Sequence, residues 1–172
     1  MAPGCTGAYS IITKYIIIND FIIEEGEFDV DNDTLYLYPK FLSSLMNKEV
    51  DLDGGRLKVM LVGTGYVYSS EHKYLSSVSG EVTGYGYTQG GAIINNPTFT
   101  ISGNIGRLTG DNASWGNLMV DNVKGYIIYD DSSSSANSKP LIAYMSFKEP
   151  IDFDYSKLEI VWSADGIIKI AF

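Results

Sequence analysis

The sequence predicts a mainly β fold, an antiparallel β-sandwich of jelly-roll-like or related form with one short helix. Three observations point there. Short runs of β-branched and aromatic residues recur along the chain, with turn-forming residues between nearly all of them, the spacing of a sandwich or barrel. The 172 residues include thirteen tyrosines and eighteen glycines; tyrosine favours a pleated, half-buried surface, and glycine supplies the turns between short strands. Only one segment carries a helical period, and neither a fixed repeat nor sustained heptads occur, which argues against a solenoid or coiled-coil rod.

Taken in order, Tyr9 to Ile18 reads as a strand that Phe21 to Glu24 continues after a bend at Asn19-Asp20. An acidic turn, Glu24 to Asp33, leads to Thr34–Tyr38, where Leu35 and Leu37 alternate with Tyr36 and Tyr38, the period of a two-faced strand. Pro39 opens the helix, Pro39 to Asn47, because proline is tolerated in a first turn and Phe41, Leu42, Leu45 and Met46 form an apolar stripe. After the turn-rich Lys48 to Gly55, Arg56 to Val62 is a strongly apolar strand.

Gly63 to Gly91 is dense in glycine, serine and tyrosine. It predicts a single helical turn at Glu71–Leu75, a short strand at Glu81-Val82, and a loop Gly84–Gly91 that enters a strand at Ala92–Ile94. Further strands are expected at Thr98–Ser102, Leu118–Val120, Val123–Tyr129, Leu141–Phe147, Leu158–Ser163 and Ile167–Ala171. Ser132 to Lys139 reads as a mobile hairpin loop. Residues 41–172 form the main sandwich domain, and residues 1–40 form an N-terminal strand arm or added strands.

Twelve basic against twenty-one acidic side chains give a net charge of -9. That argues against nucleic acid, whose binders gain affinity by neutralising phosphates with Lys and Arg. The apolar runs near Ile16 and Ile22 are too short to span a bilayer, and the start lacks the basic leader and apolar core of a secretion signal. The expectation is synthesis in the cytoplasm, without a membrane. Cys5, the single cysteine, offers no disulfide framework.

Chemistry has few carriers. With one histidine, His72, and one cysteine, neither a multi-ligand zinc site nor a Ser-His or Cys-His pair is indicated. Asp29, Asp31 and Asp33 have the spacing that opens a calcium loop, but Thr34 replaces the turn glycine and Lys40 the closing glutamate, so an EF-hand is excluded and a solvated acidic turn is expected. Glu71, Glu81, Asp111, Glu149, Asp152 and Asp154 could supply a carboxylate pair for glycoside hydrolysis, but no spacing selects two of them. Gly84-Tyr85-Gly86-Tyr87 lacks the Gly-Lys-Ser/Thr of a phosphate loop. No catalytic, cofactor-binding or metal residue is nominated. Tyr66, Tyr68, Tyr85 and Tyr87 are the candidate contact surface, since tyrosine is enriched where one end of the ring is packed and the other wet; plain packing over a glycine-rich surface is the alternative reading of the same four residues.

Several segments have a familiar order: Leu57-Lys58-Val59-Met60-Leu61-Val62, Gly80-Glu81-Val82-Thr83-Gly84-Tyr85-Gly86-Tyr87-Thr88-Gln89-Gly90-Gly91-Ala92, Ala113-Ser114-Trp115, Gly125-Tyr126-Ile127-Ile128-Tyr129, Lys139-Pro140-Leu141-Ile142-Ala143-Tyr144, and Ile160-Val161-Trp162-Ser163-Ala164-Asp165-Gly166-Ile167. Together, from about Phe41 to Ile170, they resemble a family of tailed-bacteriophage virion structural proteins. The first forty residues depart from it. The resemblance implies a small, non-enzymatic β protein of the virion, of a kind variously found as capsid decoration, head fibre or tail-associated protein; the expectation for this chain is a head-surface decoration or head-fibre protein made in the host bacterial cytoplasm. Its partners would be other phage structural proteins, the capsid protein foremost, and copies of itself. The alternative is a carbohydrate-binding or host-adhesion module of a phage tail or fibre, in which the Tyr66–Tyr87 region meets a host glycan. A glycan-cleaving enzyme ranks below both.

Overall fold

Two long antiparallel strands organise the molecule, β7 (Ala113–Asp130) and β8 (Leu141–Trp162). The structure, a computed structural model, describes residues 13–18 and 34–171. Cys5, the stretch 9–12, the continuation at 21–24 and the aspartates at 29, 31 and 33 lie outside the described residues.

The larger sheet adds β1 (Thr13–Ile18), β2 (Thr34–Leu37), β3 (Leu57–Gly63) and β4 (Ala92–Ile93), in the order β1-β8-β7-β3-β4. β1 and β2 share one edge of β8. β1 runs parallel to its C-terminal part, Thr13 opposite Lys157, and β2 antiparallel to its N-terminal part, Leu37 opposite Ala143. A second sheet, β5-β6-β9, comprises β5 (Thr98–Ser102), β6 (Ile105–Thr109) and β9 (Ile168–Ala171). The expected mainly β, antiparallel sandwich-like fold with one short helix is therefore present.

That helix, α1 (Pro39–Met46), starts on Pro39 as expected. It buries Phe41 and Ser44, whereas Leu42 and Met46 are exposed, so the apolar stripe is rotated partly out of the contact. Burial in β3 is nearly continuous instead of alternating, because both of its faces are covered. One core spans both sheets, from Leu57, Leu61, Leu118 and Leu158 in the larger to Leu108 and Ile168 in the smaller. Each fully buried aliphatic side chain of this kind contributes roughly 1.5–3 kcal/mol.

The structure differs from the sequence expectations in five places, the first being that the short strand expected at Glu81-Val82 is a single bridge between Glu81 and Val62. β6 was not expected, since Gly106 and Arg107 break its apolar pattern. β7 and β8 are each continuous where two short strands were expected. The helical turn falls at Leu75–Ser77 instead of Glu71–Leu75. The serine-rich hairpin loop holds a 3₁₀ turn, Ala136–Ser138, capped by Ser135 and tied by Ser133 Oγ to Ser138 Oγ at 2.6 Å.

β-Bulges explain the continuity. Register shifts between Trp115 and Leu118 and between Val120 and Val123 each insert one extra residue into β7, where Asn117 and Asn122 have φ of 50° and 58°. Between Leu118 and Val120 the extra residue falls in β8, where Tyr155 has φ 45°. Pro150 sits in a longer excursion between Ser146 and Ile151, where no ladder N–H is needed from it. From Trp162 the turn Ser163–Gly166 carries the chain to the smaller sheet. Ile167 N donates to Leu108 O at 2.7 Å, and Asp165 pairs with Arg107 and Lys169 at 3.2 and 2.6 Å.

Candidate functional site

The four tyrosines of the expected contact surface occupy different environments. Tyr66 is 5% exposed, and its hydroxyl lies 2.5 Å from that of Tyr38 and 3.1 Å from His72 Nδ1. Every hydroxyl proton is used if Tyr38 donates to Tyr66 and Tyr66 donates to His72 Nδ1. Burial, then the Tyr66 contact, pushes the Tyr38 hydroxyl pKa far up. Tyr87 is also structural. It donates to Glu81 Oε1 at 2.8 Å and accepts the Leu61 N–H at 3.1 Å; burial first and the Glu81 charge second push its pKa far up.

Tyr68 belongs to an aromatic stack with Tyr36 and Tyr144, at centroid separations of 4.9 Å to Tyr36 and 6.0 Å to Tyr144. These rings, with Thr64, Val67, Lys124, Ser146 and other neighbours, line an open groove of about 400 Å³. Its lysine is committed, Lys124 Nζ donating to Lys148 O at 2.6 Å.

Tyr85 is the exposed member, at 66%. It bridges to Met119 on β7, whose N–H donates to Tyr85 O at 2.9 Å. Its ring centroid lies 6.1 Å from that of Tyr155, which is 60% exposed. Thus Tyr66 and Tyr68 flank the groove, Tyr85 stands on a separate face with Tyr155, and Tyr87 is tied into the framework. Alternation in Leu35-Tyr36-Leu37-Tyr38 is a signal that could have found Tyr36; no local pattern distinguishes Tyr155 from an ordinary strand tyrosine.

A third feature is polar. Asp131, 7% exposed, pairs with Lys139 at 2.5 Å, Lys58 at 3.1 Å and Arg56 at 3.3 Å, beside a cleft of about 390 Å³ that Glu81, Tyr129 and Gly90 also line. Burial raises the Asp131 pKa, but the hydrogen bonds from Lys139 and Lys58 outweigh it and hold the group below the usual range. Glu81 accepts from Tyr87 and from the Gly90 N–H, so the cleft's charges are already engaged in holding chain segments together.

The carboxylates weighed for hydrolysis are dispersed among separate tasks. Glu71 pairs with Lys40 at 3.2 Å, Asp111 accepts from Asn96 at 2.8 Å, and Asp152 accepts the Asn122 N–H at 2.7 Å. Glu149 and Asp154 are exposed. Among the described residues, no group of three or more His, Cys, Asp or Glu side chains is placed to hold a metal ion, and no helix is long and apolar enough to cross a membrane. The chain matches no family model, no curated protein and no solved structure.

Proposed function

We propose that the chain is a non-enzymatic structural component of a tailed-phage virion, a head-surface decoration or head-fibre protein acting through contacts with the capsid protein and with copies of itself. The observation that carries this reading is the ordered set of family-like segments from Leu57 to Ile167. A Cβ on Gly84, Gly91 or Gly166 would lie 2.1, 1.8 or 2.4 Å from the carbonyl oxygen of Met119, Val59 or Leu108, so these motif positions answer to a particular chain path. The net charge of -9 suits crowded copies on a particle surface, which repel one another except at specific contacts. Immunogold labelling of purified particles tests the proposal. Regularly spaced label on the head is expected, and particles carrying no copy of the chain would overturn it.

A further inference from the structure

We propose that Tyr85 and Tyr155 form a shallow binding site for neutral pyranose sugars. Two unrelated backbone devices bring these rings together. On one side, Gly84 and Gly86 let their segment cross against β7: a Cβ on Gly84 would lie 2.1 Å from Met119 O, and one on Gly86, at φ 78°, would lie 2.5 Å from Asn117 O. Between these glycines Tyr85 is turned outward. On the other side, a one-residue bulge in β8 places Tyr155 at φ 45°, a left-handed conformation that bulky side chains rarely adopt. Both rings remain mostly in water, at 66% and 60% exposure, so burial in this chain does not compensate the strain. Strained backbone that displays side chains points to a ligand.

The chemistry selects the ligand class. The centroids are 6.1 Å apart with planes inclined at 54°, and Met119, 44% exposed, lies in β7 between the two strands' worth of backbone that carry the rings. These three side chains offer about 300–400 Å² of surface, well below the ~800 Å² per partner of a stable protein interface. A pyranose is of matching size: its axial C–H groups pack on a phenol face, while its hydroxyls need polar partners at the rim. Two exposed polar residues are close in the chain path, Asn117, whose carbonyl lies against Gly86, and Asp154, which precedes Tyr155 in β8. The net charge of -9 disfavours acidic sugars.

The test is an amide NMR titration of the full chain with neutral oligosaccharides built from glucose, galactose, mannose or N-acetylglucosamine, beside a sialylated one. At least one neutral oligosaccharide should bind and shift the Tyr85 and Tyr155 amides. Tyr85→Ala and Tyr155→Gly should each weaken it about tenfold or more, and Tyr87→Phe should leave it within about twofold. The proposal is overturned if no neutral member binds, if the sialylated sugar binds more tightly, or if binding survives both ring substitutions together. Loss of self-association in those variants, without loss of sugar binding, would overturn it in favour of a contact between copies. Sugar binding by the purified chain does not depend on attachment to particles, so this proposal and the virion reading fail separately.

Discussion

At the residue scale, three bulges in the β7–β8 ladder pose the same backbone problem. Two are solved by asparagine and one by tyrosine, at Asn117, Asn122 and Tyr155. Asparagine tolerates the left-handed region; a tyrosine there costs roughly 1–2 kcal/mol. Replacing Tyr155 by glycine removes that penalty and adds a chain-entropy cost of about 0.5–1 kcal/mol, so strain relief wins narrowly. Tyr155→Ala keeps the penalty and loses the ring. Glycine should therefore be the more stable of the two variants by about 1 kcal/mol, read from urea midpoints; an alanine variant as stable as the glycine one would contradict the bulge geometry. Tyr87 behaves oppositely. Tyr87→Phe removes one of the two donors to Glu81, which keeps the Gly90 N–H, and takes away the acceptor of the Leu61 N–H; it should cost about 1–3 kcal/mol in the same measurement.

At the scale of elements, glycines separate turn strain from close packing. Gly91 and Gly54 both have positive φ, 77° and 100°, but a Cβ on Gly91 would lie 1.8 Å from Val59 O whereas one on Gly54 would meet nothing within 4 Å. Gly54→Ala should cost about 1 kcal/mol. Gly91→Ala must also push the loop off β3 and should cost about 3 kcal/mol or more. Equal losses in chemical denaturation would show that the loop is not seated on β3.

The same contrast explains what could be read from the chain. α1, β7 from Leu118 onward and both apolar ends of β8 were legible because Pro39 opens a helix and these strand segments are strongly apolar. The middle of β8, Lys148 to Lys157, was not, since bulges allow polar residues and Pro150 inside a continuous ladder. β6 left one readable trace, the Gly103-Asn104 turn that joins it to β5, a dipeptide suited to a two-residue hairpin. The aromatic pair was half legible: Tyr85 stood out in its glycine setting, while Tyr155 owes its position to a register shift that no local pattern records.

For the molecule as a whole, the acid limb of stability is the property that depends most visibly on a single side chain. Asp131 gathers Arg56 and Lys58 from beside and within β3 and Lys139 from the far end of the hairpin loop, closing the corner at which β3, β7 and β8 meet. Its pKa is held down in the folded state because the lysine hydrogen bonds outweigh the burial that raises it. The unfolded chain therefore binds a proton more readily. The stabilisation is complete above the unfolded carboxyl pKa, near 4, and is lost as pH falls through the lower folded value. Glu49, Glu159 and Asp165 shift in the same direction through their own lysines, but they are more accessible and matter less. Asp131→Asn should cost about 2–4 kcal/mol at pH 7, because it leaves Lys58 and Lys139, only 18% and 19% exposed, without their counter-charge. In urea titrations from pH 7 to pH 2, the gap between wild type and variant should narrow through the acid range. A constant gap across that range would mean that the Asp131 charge does not hold the corner.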